Sequence, residues 1–241
     1  MRKILTIAVF LCTLSFNAIS QADLFGFDLR NADAKIDSLK KNLPEQRNFK
    51  RIDYLNGLSE AFLNLSRDTA RLHAEQALEE AIKINYIQGQ AKAYQNLGRI
   101  ECAVITDLPS AEKYFSKSLS LFITTGNYQQ IGYTWGALGY SKWVLGKFSE
   151  AMEALKTAEK IFLTIADTSD LIGTYDFMNR TEREWGHYAK SLEYTLRHKD
   201  LTGEEDSSAL SGLYYAVGDY ETAEKYSSKI PIPTNNDARS F

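Results

Sequence analysis

The segment Gly146-Lys-Phe-Ser-Glu-Ala151, GKFSEA, decides how this chain folds, because the chain writes it again. GHYAKS stands at 186–191 and GDYETA at 218–223: glycine, a variable residue, an aromatic, two further residues and a small one. Aligned on that small residue, the chain gives Ala70, Ala111, Ala151, Ser191 and Ala223, at spacings of 41, 40, 40 and 32. Upstream of the first four lies a second matching block: YLNGLSEAF at 54–62, YQNLGRIEC at 94–102, WGALGYSKW at 135–143 and YDFMNRTER at 175–183. Self-similarity at a near-fixed period of this length marks a repeat architecture.

Downstream of the small residue, residues at +4 and +7 continue one face: Ala111, Phe115, Ser118 in one repeat and Ala151, Leu155, Ala158 in the next. Those offsets are helical. Each unit is therefore expected to be two helices joined by a tight turn. Gly98 and Gly139 fall where paired helices approach closely. Gly146, Gly186 and Gly218 fall just past the first helix, where glycine accepts a left-handed backbone cheaply. The aromatics Phe148, Tyr188 and Tyr220 are expected to plug the cleft between paired helices, and the small residue three places on to let the second helix dock. One hairpin cannot bury these faces alone, so successive hairpins stack.

The pattern resembles the tetratricopeptide repeat (TPR) family, whose signature is an aromatic, Leu-Gly, Gly-x-aromatic-x-x-Ala and a further small residue seven places on. Trp135, Leu138, Gly139, Gly146, Phe148, Ala151 and Ala158 match it best. A period near 40 resembles the longer-helix variety of bacterial sensors and regulators. The resemblance covers about residues 51–230 and implies an all-α, right-handed superhelical solenoid of about five stacked antiparallel helix pairs. Departures are local. Repeat two carries an extra turn residue, with Pro109 at the start of its second helix, where proline is tolerated. Repeat four has Asn179 and Ser191 at two packing positions, predicting looser packing, and repeat five is truncated. Pro231 and Pro233 end helical structure because each lacks an N–H. Residues 32–43, with Ile36, Leu39 and Leu43 at helical spacing, read as a capping helix closed by Pro44.

The first twenty residues differ from the rest. Arg2 and Lys3 precede the apolar run ILTIAVFLCTLSF, followed by Ala18-Ile19-Ser20 before Gln21. A basic tip, a short apolar segment and a small-x-small site describe a secretory signal peptide cleaved near Ser20-Gln21. The run is shorter than the ~20 residues a membrane span needs. Export to the periplasm or outside follows, with residues 21–50 as a leading segment and 231–241 as a tail. Without Arg2 and Lys3 the charge falls from −3 to −5, with no basic face of the kind nucleic acid requires. Cys102 is the one cysteine left, so no internal disulfide is available, and no second apolar run suits membrane insertion.

No catalytic, cofactor-binding or metal-ligating set emerges. His73, His187 and His198 lie in different repeats, with His187 in the variable turn place, a solvated position. Cys102 reads as packed rather than nucleophilic, and the side chains of Glu182 and Glu184 diverge on a helix. Binding remains. In the TPR resemblance the first helices line a concave face, which implies as inward residues Asn56 and Asn64 of repeat one and Lys92, Gln95 and Arg99 of repeat two. Repeat three contributes Tyr133, Tyr140 and Trp143, and repeat four Asp176, Arg180 and Arg183. Amides would hold a peptide backbone, rings its side chains, and arginines its carboxylates; the bland alternative is that these residues only pack. The expected function is an exported, non-enzymatic scaffold for a protein or peptide partner, such as the sensory part of a bacterial signalling system. The alternatives are an accessory or regulatory subunit of a periplasmic enzyme or assembly, or a truncated remnant of a TPR sensor kinase.

Overall fold

Six turns of the chain are built alike. In each, a left-handed residue ends one helix, and these residues are Asn85, Gly126, Gly146, Ala166, Gly186 and Gly218. The next N–H then bonds back five residues: Tyr86 to Ala81 at 2.8 Å, Asn127 to Phe122 at 3.2 Å, Lys147 to Lys142 at 2.9 Å, Asp167 to Phe162 at 3.0 Å, His187 to Glu182 at 2.8 Å and Asp219 to Tyr214 at 3.0 Å. This is the Schellman closure, which satisfies carbonyls that a helix end leaves orphaned. Asn127, Asp167 and Asp219 then turn their carboxyl or amide oxygens onto the third N–H of the following helix, capping its N-terminus. One residue pair thus stops a helix and starts the next. Gly146, Gly186 and Gly218 occupy the places expected of them. The matching turns between repeats, at Asn85, Gly126 and Ala166, carry only one glycine and escaped the sequence pattern.

The computed structural model describes residues 32–43, 48–104 and 107–230, with the backbone alone at 32, 103 and 104. The signal-peptide reading of residues 1–20, the helix stops at Pro44, Pro231 and Pro233, and the tail lie outside the described residues. Among these, there are eleven helices and no strand: α1 Ala32–Asn42, α2 Phe49–Phe62, α3 Arg67–Lys83, α4 Ile87–Val104, α5 Leu108–Thr125, α6 Tyr128–Val144, α7 Phe148–Ile165, α8 Thr168–Glu184, α9 Tyr188–Thr202, α10 Ser207–Ala216 and α11 Tyr220–Ser227. The chain divides into two compact units within α8, after Gly173.

In the first unit α1 packs on α2, and α2/α3, α4/α5 and α6/α7 are hairpins. α3 also packs on α4 and α5 on α6, while α2 lies beside α4 and α4 beside α6. First helices therefore form one layer and second helices another. The fold is all-α, made of antiparallel helix pairs that stack in the order the period implies. α1 caps it as expected: Ile36 is buried, Leu39 lies over Gly57, and Leu43 packs on the cluster of Ile52, Leu55, Ala77 and Ala81.

The close-contact glycines behave as the repeat requires. A Cβ on Gly98 would stand 2.6 Å from the Phe115 ring, and one on Gly139 would stand 2.9 Å from Leu155 Cγ. Phe115 and Leu155, four places after the small residue, are thus what fills the cleft between paired helices. The aromatic of the Gly-x-aromatic turn does not. It is the first residue of the second helix, half-buried at Phe148 but 43% exposed at Tyr188 and 63% at Tyr220. A side chain at that position covers the turn rather than reaching the packed face three residues on; Tyr220 instead meets Tyr215 edge-on. The small residues Ala70, Ala111, Ala151, Ser191 and Ala223 are all buried. Pro109 sits in the first turn of α5, behind the cap that Asp107 supplies to the Ser110 N–H.

In the second unit the two departures of repeat four are a pair. The Ser191 hydroxyl donates to Asn179 Oδ1 across the helix contact. Where repeats two and three bring together Gly98 with Ala111 and Gly139 with Ala151, this one substitutes a part-buried hydrogen bond. Phe177, Met178, Leu210 and Leu213 form the apolar interior of this unit. α10 and α11 pack as its last, short hairpin.

Candidate partner-binding groove

The 40-residue period returns as hydrogen bonds. Asn96 Nδ2 donates to the Asn56 carbonyl at 3.0 Å, Gln95 Nε2 to Thr134 Oγ1 at 2.9 Å, and Arg99 Nη1 to Glu60 Oε1 at 3.2 Å. Each bond joins neighbouring first helices, because residues one period apart stand side by side on α2, α4 and α6. Asn56 also donates to the Gly89 carbonyl at 3.2 Å, and Gly89 itself lies against Ile52 and Tyr86.

At the centre of this face Glu60 Oε1 receives Lys92 Nζ at 2.7 Å and Arg99 Nη1 at 3.2 Å. Burial pushes the Glu60 carboxyl up, but Lys92 and Arg99, helped by the charge of Lys35 on α1, outweigh it and hold it below the ordinary carboxylate range. Both cations also stand over the Tyr133 ring, Lys92 at 5.9 Å and Arg99 at 5.7 Å from its centre, within cation–π range. Burial raises the Tyr133 hydroxyl, opposed by Arg99 and reinforced by Glu60 and Asp170.

In front of this cluster a cleft of about 250 Å³ opens between α2, α4 and α6. Asp53, Asn56, Gly57 and Glu60 line it from α2, Gln88 and Lys92 from α4, Asn127 and Gln130 from the start of α6, and Phe122 forms its apolar wall. Asp53 accepts from the Tyr86 hydroxyl at 3.0 Å. Burial raises the Asp53 carboxyl despite that bond and, with the Asp53 charge, pushes the Tyr86 hydroxyl up to about 12.

Of the expected inward residues, Asn56 and Lys92 line the cleft. Gln95 and Arg99 are buried beside it, bonded to Lys92 and Glu60, whereas Tyr140 is buried further along α6, against the half-buried Trp143 ring at 5.8 Å. Asn64 is not on the helix row: α2 stops at Phe62, because Ser66 caps α3 and the chain turns over 63–65. Asp176, Arg180 and Arg183 belong to the second unit. There Asp176 pairs with His198 at 3.5 Å, Arg180 lies over the Phe177 ring at 6.0 Å, and Arg183 is exposed. Glu60 and Asp53 escaped the sequence reading although they hold the same register, one after and six before Ser59, as Arg99 and Lys92 do relative to Gly98.

Two residues set aside on sequence grounds are more structured than expected or as packed as expected. His187 is no free turn residue: its Nδ1 meets buried Glu182 Oε2 at 2.7 Å and its ring lies 4.4 Å from Trp185. Cys102 is 1% exposed, and burial pushes its thiol up to about 12. Among the described residues no group of three metal-capable side chains converges, and no helix is long and apolar enough to cross a membrane.

Neither a family model nor a curated protein matches the chain. Solved structures do. A Rap protein complexed with Competence and Sporulation Factor is 18% identical, with a TM-score of 0.68 over 82% of this chain and 58% of that one. A signal-transduction ATPase with numerous domains from Pyrococcus horikoshii, carrying a tetratricopeptide repeat sensor, is 19% identical, with a TM-score of 0.68 over 80% of this chain and 32% of that one. The nearly identical TPR-like repeats of a Podosopora anserina putative kinesin light chain are 14% identical, with a TM-score of 0.60 over 74% and 92%. The chain therefore spans less than two thirds of the first two proteins. At these identities the likeness is one of fold, and the fold is TPR-like.

Proposed function

We propose that this protein is a non-catalytic interaction scaffold that receives an extended segment of a protein or peptide in the cleft between α2, α4 and α6. The observation that supports this most is the cleft itself, a concave polar opening on the first-helix layer with Asn56, Gln88, Asn127 and Gln130 around it. Side-chain amides both donate and accept, which suits the alternating N–H and C=O of an extended backbone. The Rap neighbour is complexed with Competence and Sporulation Factor, and the Pyrococcus neighbour bears a TPR sensor. Both favour a signalling role for this chain.

We also read the chain as exported, on the strength of Arg2, Lys3, the apolar run and Ala18-Ile19-Ser20. N-terminal sequencing of the protein from its native source is expected to start at Gln21. An intact Met1 would contradict export.

The groove reading is tested by quantitative affinity capture. Arg99 is a poor probe, since its removal leaves Glu60 short of a partner inside the fold. Gln88 is exposed at the cleft mouth, and Gln88→Trp fills that mouth while leaving every charge in place. A partner recovered by the wild type is expected to be lost with Gln88→Trp at unchanged helicity. Equal recovery by both would sink the groove.

A further inference from the structure

We propose that the guest of the α2–α4–α6 cleft presents a cation, a lysine or arginine side chain or a free amine, to Asp53 and Glu60. This rests on the groove reading above and reverses the expectation that arginines here meet guest carboxylates.

The two cations of the groove are already spent within the chain. An ammonium has three N–H donors, and Lys92 Nζ has three acceptors: Glu60 Oε1 at 2.7 Å, Gln95 Oε1 at 2.9 Å and Gln130 Oε1 at 3.4 Å. Arg99 is 3% exposed and lies behind the cleft on Glu60. A guest carboxylate would find neither of them open to it.

The acceptors are in surplus instead. An ionised carboxylate offers about four lone-pair sites on two oxygens. Every hydrogen bond to Glu60 from a described residue falls on Oε1, and the one to Asp53 falls on Oδ1. The second oxygen of each carboxylate has no donor among the described residues. Both side chains line the cleft, and their spacing of seven residues places them on one face of α2, two turns apart. Asp53 is exposed and only partly desolvated, so its charge stands open at the cleft to a guest ammonium or guanidinium. The cleft's 250 Å³ equals roughly eight water molecules, room for the end of one long side chain entering beside a backbone held by the amides.

The test pans the full chain with a random heptapeptide phage library, discards peptides that also bind Gln88→Trp, and remakes the remainder as labelled peptides for anisotropy titration. Each is paired with versions carrying norleucine or glutamate at its basic position. Enrichment of lysine or arginine is expected. Replacing that residue by norleucine, or Asp53 by asparagine, should weaken binding roughly tenfold or more, and Asp53→Lys should favour the glutamate peptide. Cleft-dependent peptides with no cation, or peptides indifferent to Asp53→Asn and Asp53→Lys, overturn the charge assignment and leave the groove standing. An absence of peptides sensitive to Gln88→Trp overturns the groove and this proposal together.

Discussion

Gly136 and Gly139 sit one turn apart on α6 and do different work. Nothing stands within 4 Å of a Cβ built on Gly136, whereas one on Gly139 meets Leu155 Cγ at 2.9 Å and the Ala151 carbonyl oxygen at 3.3 Å. Glycine costs a helix interior about 1 kcal/mol relative to alanine. Gly136→Ala is therefore expected to stabilise by about that amount, while Gly139→Ala destabilises by about 1–2 kcal/mol through overpacking. Urea unfolding midpoints decide it; equal shifts would mean the helix contact is misplaced. Ala166 is the converse case, an alanine with φ of 54° where Gly126 serves one repeat earlier. Ala166→Gly should raise stability by about 0.5–1 kcal/mol, and a loss would contradict the left-handed cap. Gly146, Gly186 and Gly218 were legible because a fixed motif surrounds them. Ala166 was not, since a strained alanine leaves no trace in a sequence.

At the scale of the helix, α2 and α4 are joined by a charge cluster rather than by apolar packing alone. Glu60 is held below its ordinary value of 4.5 by Lys92 and Arg99 against the upward push of burial. A depressed folded value stabilises above the unfolded value and is lost as pH falls through the folded one. Glu60→Gln should thus destabilise by about 1–3 kcal/mol at pH 7, and the gap to wild type should shrink below pH 4.5. A gap constant from pH 7 to pH 3 would show that the pair contributes through shape alone. Helix order and the inward rows were readable from the period, because residues 38–40 apart do become neighbours. What those residues do was not readable. The period places Arg99 on the inner face, but only the packing reveals that Glu60 occupies it. Tyr188 and Tyr220 were misjudged for a related reason: a motif gives an aromatic its place in line, and the helix start then decides where it points.

At the scale of the molecule, the first unit places its polar cleft on the layer of first helices, while Lys156 stands exposed on α7, a second helix. If the protein is a scaffold that holds a partner in the cleft, contact must fall on one layer and not the other. A compact aliphatic diazirine amino acid, close to glutamine in bulk so that the cleft mouth stays open, is placed at position 88 and compared with the same group at position 156, each in the full chain and exposed to extract from the native source. The account predicts a partner adduct from position 88 that is absent from position 156 and suppressed when Asp53 is changed to lysine. Adducts from position 156 alone, or equally from both, would contradict it.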